Sequence, residues 1–397
     1  MQSINQATQR NNNKFLVLNK IIEITETTRA ELSESCGLSK PSVSEIVAEL
    51  IKENAVFEIG DDIGVANNAV TKRGKVLAVN PTGNYVVAVD MGGTKIALSM
   101  FDLTITPVYS KNIATYKVAD RAKFIEKLSN DIDSFIEESS IDRTSIAAVS
   151  VATAGIVNPS TGDVLGGSPN LPQWENFNLS QHLSPHLGLP VVIENDVRSA
   201  LIGELKSGIC QGSKNAVLLG IGTGLGSALV LDGNLIRGHS NAAGEIGYMV
   251  MSRDQLSSNW ADKGALETLC SGSGLAQRFN ELTHSNLTGE DVINLAKQGN
   301  LIARSLLEEL SDYLALSIIN TISVANPEKV VIYGGIASAS DLFLPRTQEL
   351  VNRHTLKHVS VDIQVSNLGG NAPLIGAAII GFTSKYPLLK LLPNVTL

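Results

Sequence analysis

Apolar residues recur at two different spacings along this chain, and the change between them falls near residue 85. Over residues 13–24, Phe15, Leu18, Ile21 and Ile22 share one helical face, while the Asn/Gln-rich stretch before them predicts a loose tail over residues 1–12. Thr28 followed by Glu31 is a capping-box pair that opens a second helix over Arg29–Cys36, and Gly37 closes it. Ser39, Lys40 and Pro41 supply a cap and an early-turn proline for a third helix. Its positions Val43, Ile46, Val47, Leu50 and Ile51 form one apolar stripe and leave Ser42, Ser44, Glu45 and Glu49 facing out. Val56-Phe57-Glu58, a polar stretch over residues 60–68 and an apolar-rich run over 75–79 read as strand, loop and strand. Residues 80–84 read as a linker.

Beyond Tyr85 short β-branched or apolar runs alternate with helical stretches. The runs cover residues 85–90, 146–152, 190–193, 216–221 and 329–333, and four of the five have a glycine close to their C-terminal end. This predicts α/β organisation with ligand loops at the strand ends. No low-complexity segment and no short solenoid-type repeat interrupts it.

Two short helices about a glycine turn, the second opening with small polar residues, make a helix-turn-helix pattern, and the strand-loop-strand after it fits a wing. The pattern predicts double-stranded DNA as a partner. Lys40, Ser42 and Ser44 would lie on the first turn of the reading helix, and Lys72, Arg73 and Lys75 at the base of the wing. Arg10 and Lys14 flank the first helix. Bulk charge lends no support. The whole chain carries a net charge of -8, and its first 80 residues hold nine Lys/Arg against ten Asp/Glu, so any DNA contact must come from a local basic face.

With 397 residues, 43% of them hydrophobic and 18% charged, the chain predicts two or three ordinary globular domains. Cys36, Cys210 and Cys270 form neither a CxxC pair nor an even framework, which fits buried thiols in a reducing cytoplasm. The N-terminal residues have no apolar core for a signal peptide. No run approaches a membrane span, so a cytoplasmic location without a membrane partner is expected.

Three glycine loops follow strands. They are Asp90-Met91-Gly92-Gly93-Thr94-Lys95, the segment from Gly220 to Gly226 containing Gly222-Thr223-Gly224, and Gly334-Gly335. A phosphate needs converging backbone N–H groups with no Cβ in the way, which glycines provide. One such loop reads equally well as a tight turn; three in succession, one opening with an aspartate, favour ligand binding.

These segments, with SPNLPQW (Ser168 to Trp174), ENDVRSALIGE (Glu194 to Glu204), AAGEIGY (Ala242 to Tyr248) and NAPLIGAA (Asn371 to Ala378), resemble the ROK family in the family's own order. That family holds sugar kinases and sugar-responsive repressors on the actin-like, hexokinase-like ATPase fold. The resemblance covers about residues 84–380, and the preceding 80 residues resemble the family's DNA-binding extension. It implies a winged helix-turn-helix head over residues 1–80 and a smaller α/β lobe over 81–198, completed by a C-terminal helix over 381–397. A larger lobe over 199–380 would carry a dimerisation surface. It also implies that Asn170, Asn195, Asp196, Glu245 and Glu267 line a sugar site, with Tyr248 at the position of a family histidine that contacts the sugar. In a kinase Asp196 would be the general base, Asp90 would sit near the nucleotide's Mg2+, and Thr94 with Gly222–Gly224 would hold phosphate oxygens.

One departure is informative. Family members bind a structural zinc with that histidine and three cysteines, and this chain has Tyr248, Ser258, Trp260 and Ala265 at those places. No zinc is therefore expected, because structural zinc needs four deprotonated N or S donors. The segment over residues 251–266 must be held by packing instead, with Trp260 as one candidate anchor.

The favoured reading is a DNA-binding repressor, a homodimer or tetramer, that answers to a sugar or phosphosugar and requires no cofactor. The alternatives are an ATP- and Mg2+-dependent sugar kinase, and a sensor read by a protein partner.

Overall fold

The computed structural model of the chain describes residues 6–66, 69–166, 175–392 and 394–397, with side chains over 8–60, 74–166, 175–392 and 394–397. The head comprises α1 (Gln6–Ile24), β1 (Glu26–Thr28), α2 (Arg29–Cys36), α3 (Lys40–Lys52), β2 (Val56–Ala66) and β3 (Ala69–Val79). Phe15, Val17, Leu18 and Ile21 of α1 are buried with Leu32 of α2 and with Val43, Ile46, Val47 and Leu50 of α3. The capping box at Thr28 and Glu31 forms as expected, and Ser39 caps α3 through the Ser42 N–H.

Two expectations about the head are corrected. The loose tail is helical from Gln6 onward. Arg10 pairs with Glu49 at 3.1 Å, and Lys14 pairs with Glu49 at 3.0 Å and with Glu53. These contacts to α3 outweigh the weak helix propensity of three consecutive asparagines. Strand pairing also continues through most of the expected polar loop, from Val56↔Val79 to Ala66↔Ala69, with irregularities at Glu58/Gly60 and Asp62/Ile63. A hairpin ladder is built from backbone bonds and admits polar side chains on open faces. The third strand of this sheet, β1, pairs antiparallel with β3 from Glu26↔Ala78 to Thr28↔Val76. At three residues it is too short to announce itself by periodicity.

The rest of the described chain runs β4 (Tyr85–Met91), β5 (Lys95–Asp102), β6 (Pro107–Ala114), α4 (Arg121–Glu138), β7 (Ile146–Thr153), β8 (Ile156–Asn158), β9 (Asp163–Gly166), β10 (Phe177–Asn178), α5 (Leu179–Leu187), β11 (Val191–Asn195) and α6 (Asp196–Ser207). Then follow β12 (Ala216–Ile221), β13 (Leu225–Leu231), β14 (Asn234–Ile236), α7 (Glu267–Cys270), α8 (Gly272–Thr283), α9 (Gly289–Lys297), α10 (Leu301–Ala325), β15 (Lys329–Tyr333), α11 (Ser340–His354), β16 (Asp362–Val365) and α12 (Ala372–Lys385).

Two five-stranded sheets organise these elements, in the orders β11-β7-β4-β5-β6 and β14-β13-β12-β15-β16. The orders are the same when counted within each sheet. An antiparallel meander of three strands comes first, and two later strands are added beside its first strand. The helices between strands are amphipathic and bury Phe124, Phe135 and Phe343 completely.

The chain divides into two compact units. One holds residues 1–151, 178–193 and 377–391; the other holds residues 152–177, 194–376 and 392–397. In the first, the end of α12 and the segment after it meet the head. Asn19 donates from Nδ2 to the Leu388 carbonyl at 2.8 Å and accepts the Lys390 N–H at 2.7 Å, while the Phe15 and Tyr386 rings lie 6.1 Å apart. The expected helix over 381–397 is thus corrected. The last helix spans 372–385, Pro387 blocks its continuation, and the described residues after it form turns and bends, with Thr396 bridged to Asn234. Among the described residues, no helix is long and apolar enough to cross a membrane.

Candidate functional site

In the first sheet the turn between β4 and β5 is Gly92-Gly93-Thr94, closed by a bond from the Gly92 N–H to the Lys95 carbonyl at 3.0 Å. The Thr115 hydroxyl fixes it from outside by donating to the Gly92 carbonyl at 2.7 Å. Asp90 lies one residue before the end of β4, opposite Ala97. In the second sheet the turn between β12 and β13 is Gly222-Thr223-Gly224, closed by the Gly222 N–H on the Gly224 carbonyl at 3.0 Å. Among the described residues, the N–H groups of Gly93, Thr94, Thr223 and Gly224 find no acceptor, which is what an oxyanion ligand requires. Gly334 and Gly335 follow β15, and Gly334 has φ of 104°.

Around the second sheet, Asp196 is the first residue of α6 and Asn195 is its cap. Three hydrogen bonds fix the Asn195 side chain. Asn195 Oδ1 accepts the Arg198 N–H at 3.0 Å, and Nδ2 donates to the Gly155 carbonyl at 3.0 Å and to Asp196 Oδ1 at 3.2 Å. Burial pushes the Asp196 carboxyl above the usual carboxylate range, against the N–H groups of the helix start and the charge of Arg198, which pull it down. Glu245 is raised in the same way by burial, opposed by Arg198 and reinforced by Asp196 and Glu267. Burial raises the Tyr248 hydroxyl, and Glu245, Glu267 and Asp262 add to it. Glu245 thus lies in the field of Asp196 and Glu267, and Tyr248 in the field of Glu245 and Glu267, which groups these side chains as an acidic cluster. Carboxylates in such a setting accept hydrogen bonds from hydroxyl-rich ligands.

Glu267 also reaches the glycine turn. Its Oε2 accepts the Leu225 N–H at 2.9 Å, and a Cβ placed on Gly224 would stand 2.7 Å from that oxygen. Of the other sequence-predicted residues, Asn170 lies outside the described residues, as do the side chains of Lys72 and Arg73.

A group of residues beside the cluster was not assigned a role from the sequence. Glu194 is only 1% exposed and pairs with Arg198 at 2.8 Å and with Arg237 at 2.6 Å. Glu194 and Arg198 sit four residues apart inside the ENDVRSALIGE segment, and nothing local in the sequence marks Arg237 as their partner.

At the positions where relatives would place zinc donors, Tyr248 is 41% exposed, Ser258 is exposed and Ala265 is fully buried. Trp260 is half-buried, and its indole N–H donates to the Gln255 carbonyl at 2.7 Å. Gln255 in turn accepts the Met251 N–H at 2.6 Å. These side chains do not fit a tetrahedral N/S site, and hydrogen bonds from Trp260 and to Gln255 hold the segment instead. Cys270 is buried beside the Leu310 carbonyl, and its thiol is raised by burial.

In the head, Lys40, Ser44 and Lys75 are exposed, while the Ser42 hydroxyl lies 2.8 Å from that of Ser39 within the helix cap. Arg10 and Lys14, which flank the first helix in the sequence, pair with Glu49 and with Glu49 and Glu53 respectively, and Arg10 stays 64% exposed.

The sequence profile of the ROK family matches residues 86–383. A xylose repressor of Caldicellulosiruptor bescii is 25% identical over 94% of this chain and 97% of its own length. A glucokinase of Halalkalibacterium halodurans is 28% identical over 74% of this chain and 93% of its own length. Among solved structures, a ROK family transcriptional regulator described as a homolog of the E. coli MLC protein superposes with a TM-score of 0.78, at 23% identity, over 97% of this chain and 99% of its own. The fold is accordingly the actin-like α/β fold preceded by a helical head.

Proposed function

The chain belongs to the ROK family, and from that premise we propose that it is a sugar-responsive transcriptional repressor whose winged helix-turn-helix head binds operator DNA. The observation that carries this reading is the head itself. Three helices with a capped third helix, backed by a three-stranded sheet, are joined to the kinase-like fold, and the likeness to the xylose repressor extends through nearly the whole chain. Lys40 and Ser44 would meet base edges or phosphates in the major groove, and Lys72, Arg73 and Lys75 the flanking backbone. Two copies would read a palindrome. Asp196, Glu245, Glu267 and Tyr248, with Asn170 and Asn195, would hold the sugar, and no zinc would be involved.

A physical route between the two ends supports the reading. Asp196 opens α6, and Ser199 and Gly203 of that helix meet Gly376 and Ala372 of α12 so closely that no Cβ fits between them. α12 then continues to Tyr386, Leu388 and Lys390, which α1 grips through Phe15 and Asn19. Because α12 is one continuous helix that begins beside α6 and ends at the segment held by α1, a sugar that shifts α6 would act on the head through the chain itself. In DNA-binding titrations with operator selected from a random library, D-xylose or D-glucose should change the affinity of the wild type. Asn19→Ala should keep both DNA and sugar binding but lose most of that change. Lys40→Ala with Ser44→Ala should weaken operator binding about tenfold. An affinity indifferent to every sugar offered would refute the repressor reading.

The open N–H groups of the two glycine turns and the presence of Asp196 favour a second reading, an ATP-dependent sugar kinase. Gly93, Thr94, Thr223 and Gly224 would hold phosphate oxygens, Asp90 the Mg2+ ion, and Asp196 would take the proton of the attacking hydroxyl. Sugar-dependent ATP turnover of about one per second or faster, lost in Asp196→Asn, would establish it.

A further inference from the structure

Glu194, Arg198 and Arg237 form a buried three-charge group whose geometry ties together the segments that carry Asp196 and Glu245. Arg198 is 2% exposed. Its Nε faces Glu194 Oε1 at 2.8 Å, and its two terminal nitrogens donate to the carbonyls of Asn241 and Val157, both at 3.0 Å. Arg237 forks onto the other carboxylate oxygen, from Nε at 3.2 Å and from the terminal nitrogen at 2.6 Å. Its own carbonyl accepts the Ala243 N–H at 3.0 Å. The loop over residues 237–245 is thus held at Asn241 by the Arg198 guanidinium, anchored at its start by the Arg237 side chain on Glu194, and closed on itself by the Ala243–Arg237 backbone bond. That loop delivers Glu245, while Arg198 stands two residues from Asp196 on the first turn of α6.

The charge count is unequal. One carboxylate cannot neutralise two guanidinium groups, so the trio keeps one positive charge. Arg198 shares the first turn of α6 with Asp196 and is bonded to the loop that ends in Glu245, and from there its charge pulls both carboxyls down against the burial that raises them. Around those two carboxylates stand Arg198 on α6, Glu267 at the start of α7, and Tyr248, with Asp262 beyond it. Every one of these neighbours except Arg198 is acidic.

We propose that the Glu194–Arg198–Arg237 trio is the positioning device of the sugar site: Arg237 satisfies Glu194 and so leaves the charge of Arg198 to hold Asp196 and Glu245 as paired acceptors. None of the three need touch the sugar. The proposal rests on the sugar-site reading for its purpose, but its electrostatic content can be tested without any ligand.

The experiment follows the carboxyl 13C resonances of Asp196 and Glu245 against pH in the full-length protein, assigned with Asp196→Asn and Glu245→Gln. Arg237→Gln removes a positive charge and should move both midpoints to higher pH. Glu194→Gln removes a negative one and should move them to lower pH. Arg237→Lys, which restores the charge without the fork, should bring them back toward the wild type. A role in packing alone would leave the midpoints in place or move them in the same direction in both variants, and either result overturns the proposal. Should Glu194→Gln fail to fold, the pair Arg237→Gln and Arg237→Lys decides, since Arg237 is partly exposed and tolerates change better. Where D-xylose or D-glucose binds, Arg237→Gln should weaken it about tenfold at neutral pH, as expected for one impaired charge-assisted hydrogen bond. A wild type that binds neither sugar counts against the sugar reading, whereas unmoved midpoints count against the trio.

Discussion

The two five-stranded sheets share one strand order and yet do different work at corresponding places. Both first hairpins turn through three residues, Gly92-Gly93-Thr94 in one and Gly222-Thr223-Gly224 in the other. The first is tied from outside by Thr115, while the second is backed by the carboxylate of Glu267. Both fourth strands leave through a glycine in nearly the same backbone state, Gly155 at φ of 102° and Gly334 at 104°. The fifth strands diverge most. One ends in Glu194 and Asn195 and runs straight into Asp196; the other ends at Val365 and runs through Ser366 to Gly369 and Gly370. The backbone geometry of the repeat survives where it is sterically enforced, and the side-chain chemistry has been concentrated at a single strand end.

The comparison breaks most visibly at the strand exits. Gly334→Ala puts a Cβ into the carbonyl of Ile221 at a φ that L-residues avoid, and should cost about 3 kcal/mol in urea unfolding. A near-neutral result would show that the exits are not constrained alike. At the fifth strand, Asp196→Asn should weaken sugar binding by a factor on the order of tenfold to a hundredfold by calorimetry. The same variant should raise Tm in the ligand-free protein. Because the folded-state carboxyl lies above its usual 3.8, the wild type loses stability as pH rises from that value through the raised one. The Tm advantage of the variant should therefore grow over that window and then level off, and an advantage confined to acid pH would contradict the burial argument. At the hairpins, Gly224→Ala must push the Glu267 carboxylate off the Leu225 N–H and should cost about 1 kcal/mol. Gly222→Ala, with open space around its Cβ, should stay within about 0.5 kcal/mol.

Much of the local structure was legible in the sequence. The capping box fixed the start of α2, the Ser39-Lys40-Pro41 signal fixed α3, and the runs at 216–221 and 329–333 became strands with those bounds. Local backbone preference and side-chain capping act within a few residues, so they can be read there. The start of α1 was not legible, because it depends on Glu49 and Glu53 more than thirty residues away. The long head hairpin was missed because its polar residues hid the ladder. The partner of Glu194 was missed because Arg237 comes from another strand end, 43 residues later.

The sequence by itself determined which segments become helix or strand, where their caps lie, and which residue types stand at the strand ends. Family membership followed from motifs in a fixed order. The tertiary structure decided which charges neutralise one another and which remain free to act. It paired Arg10 and Lys14 with Glu49 of α3, brought Glu245 into the field of Asp196 and Glu267, and laid two sheets of identical order over sequences with no visible repeat. Charge pairing and sheet order depend on distances between residues far apart in the chain, and those distances exist only once the chain has folded.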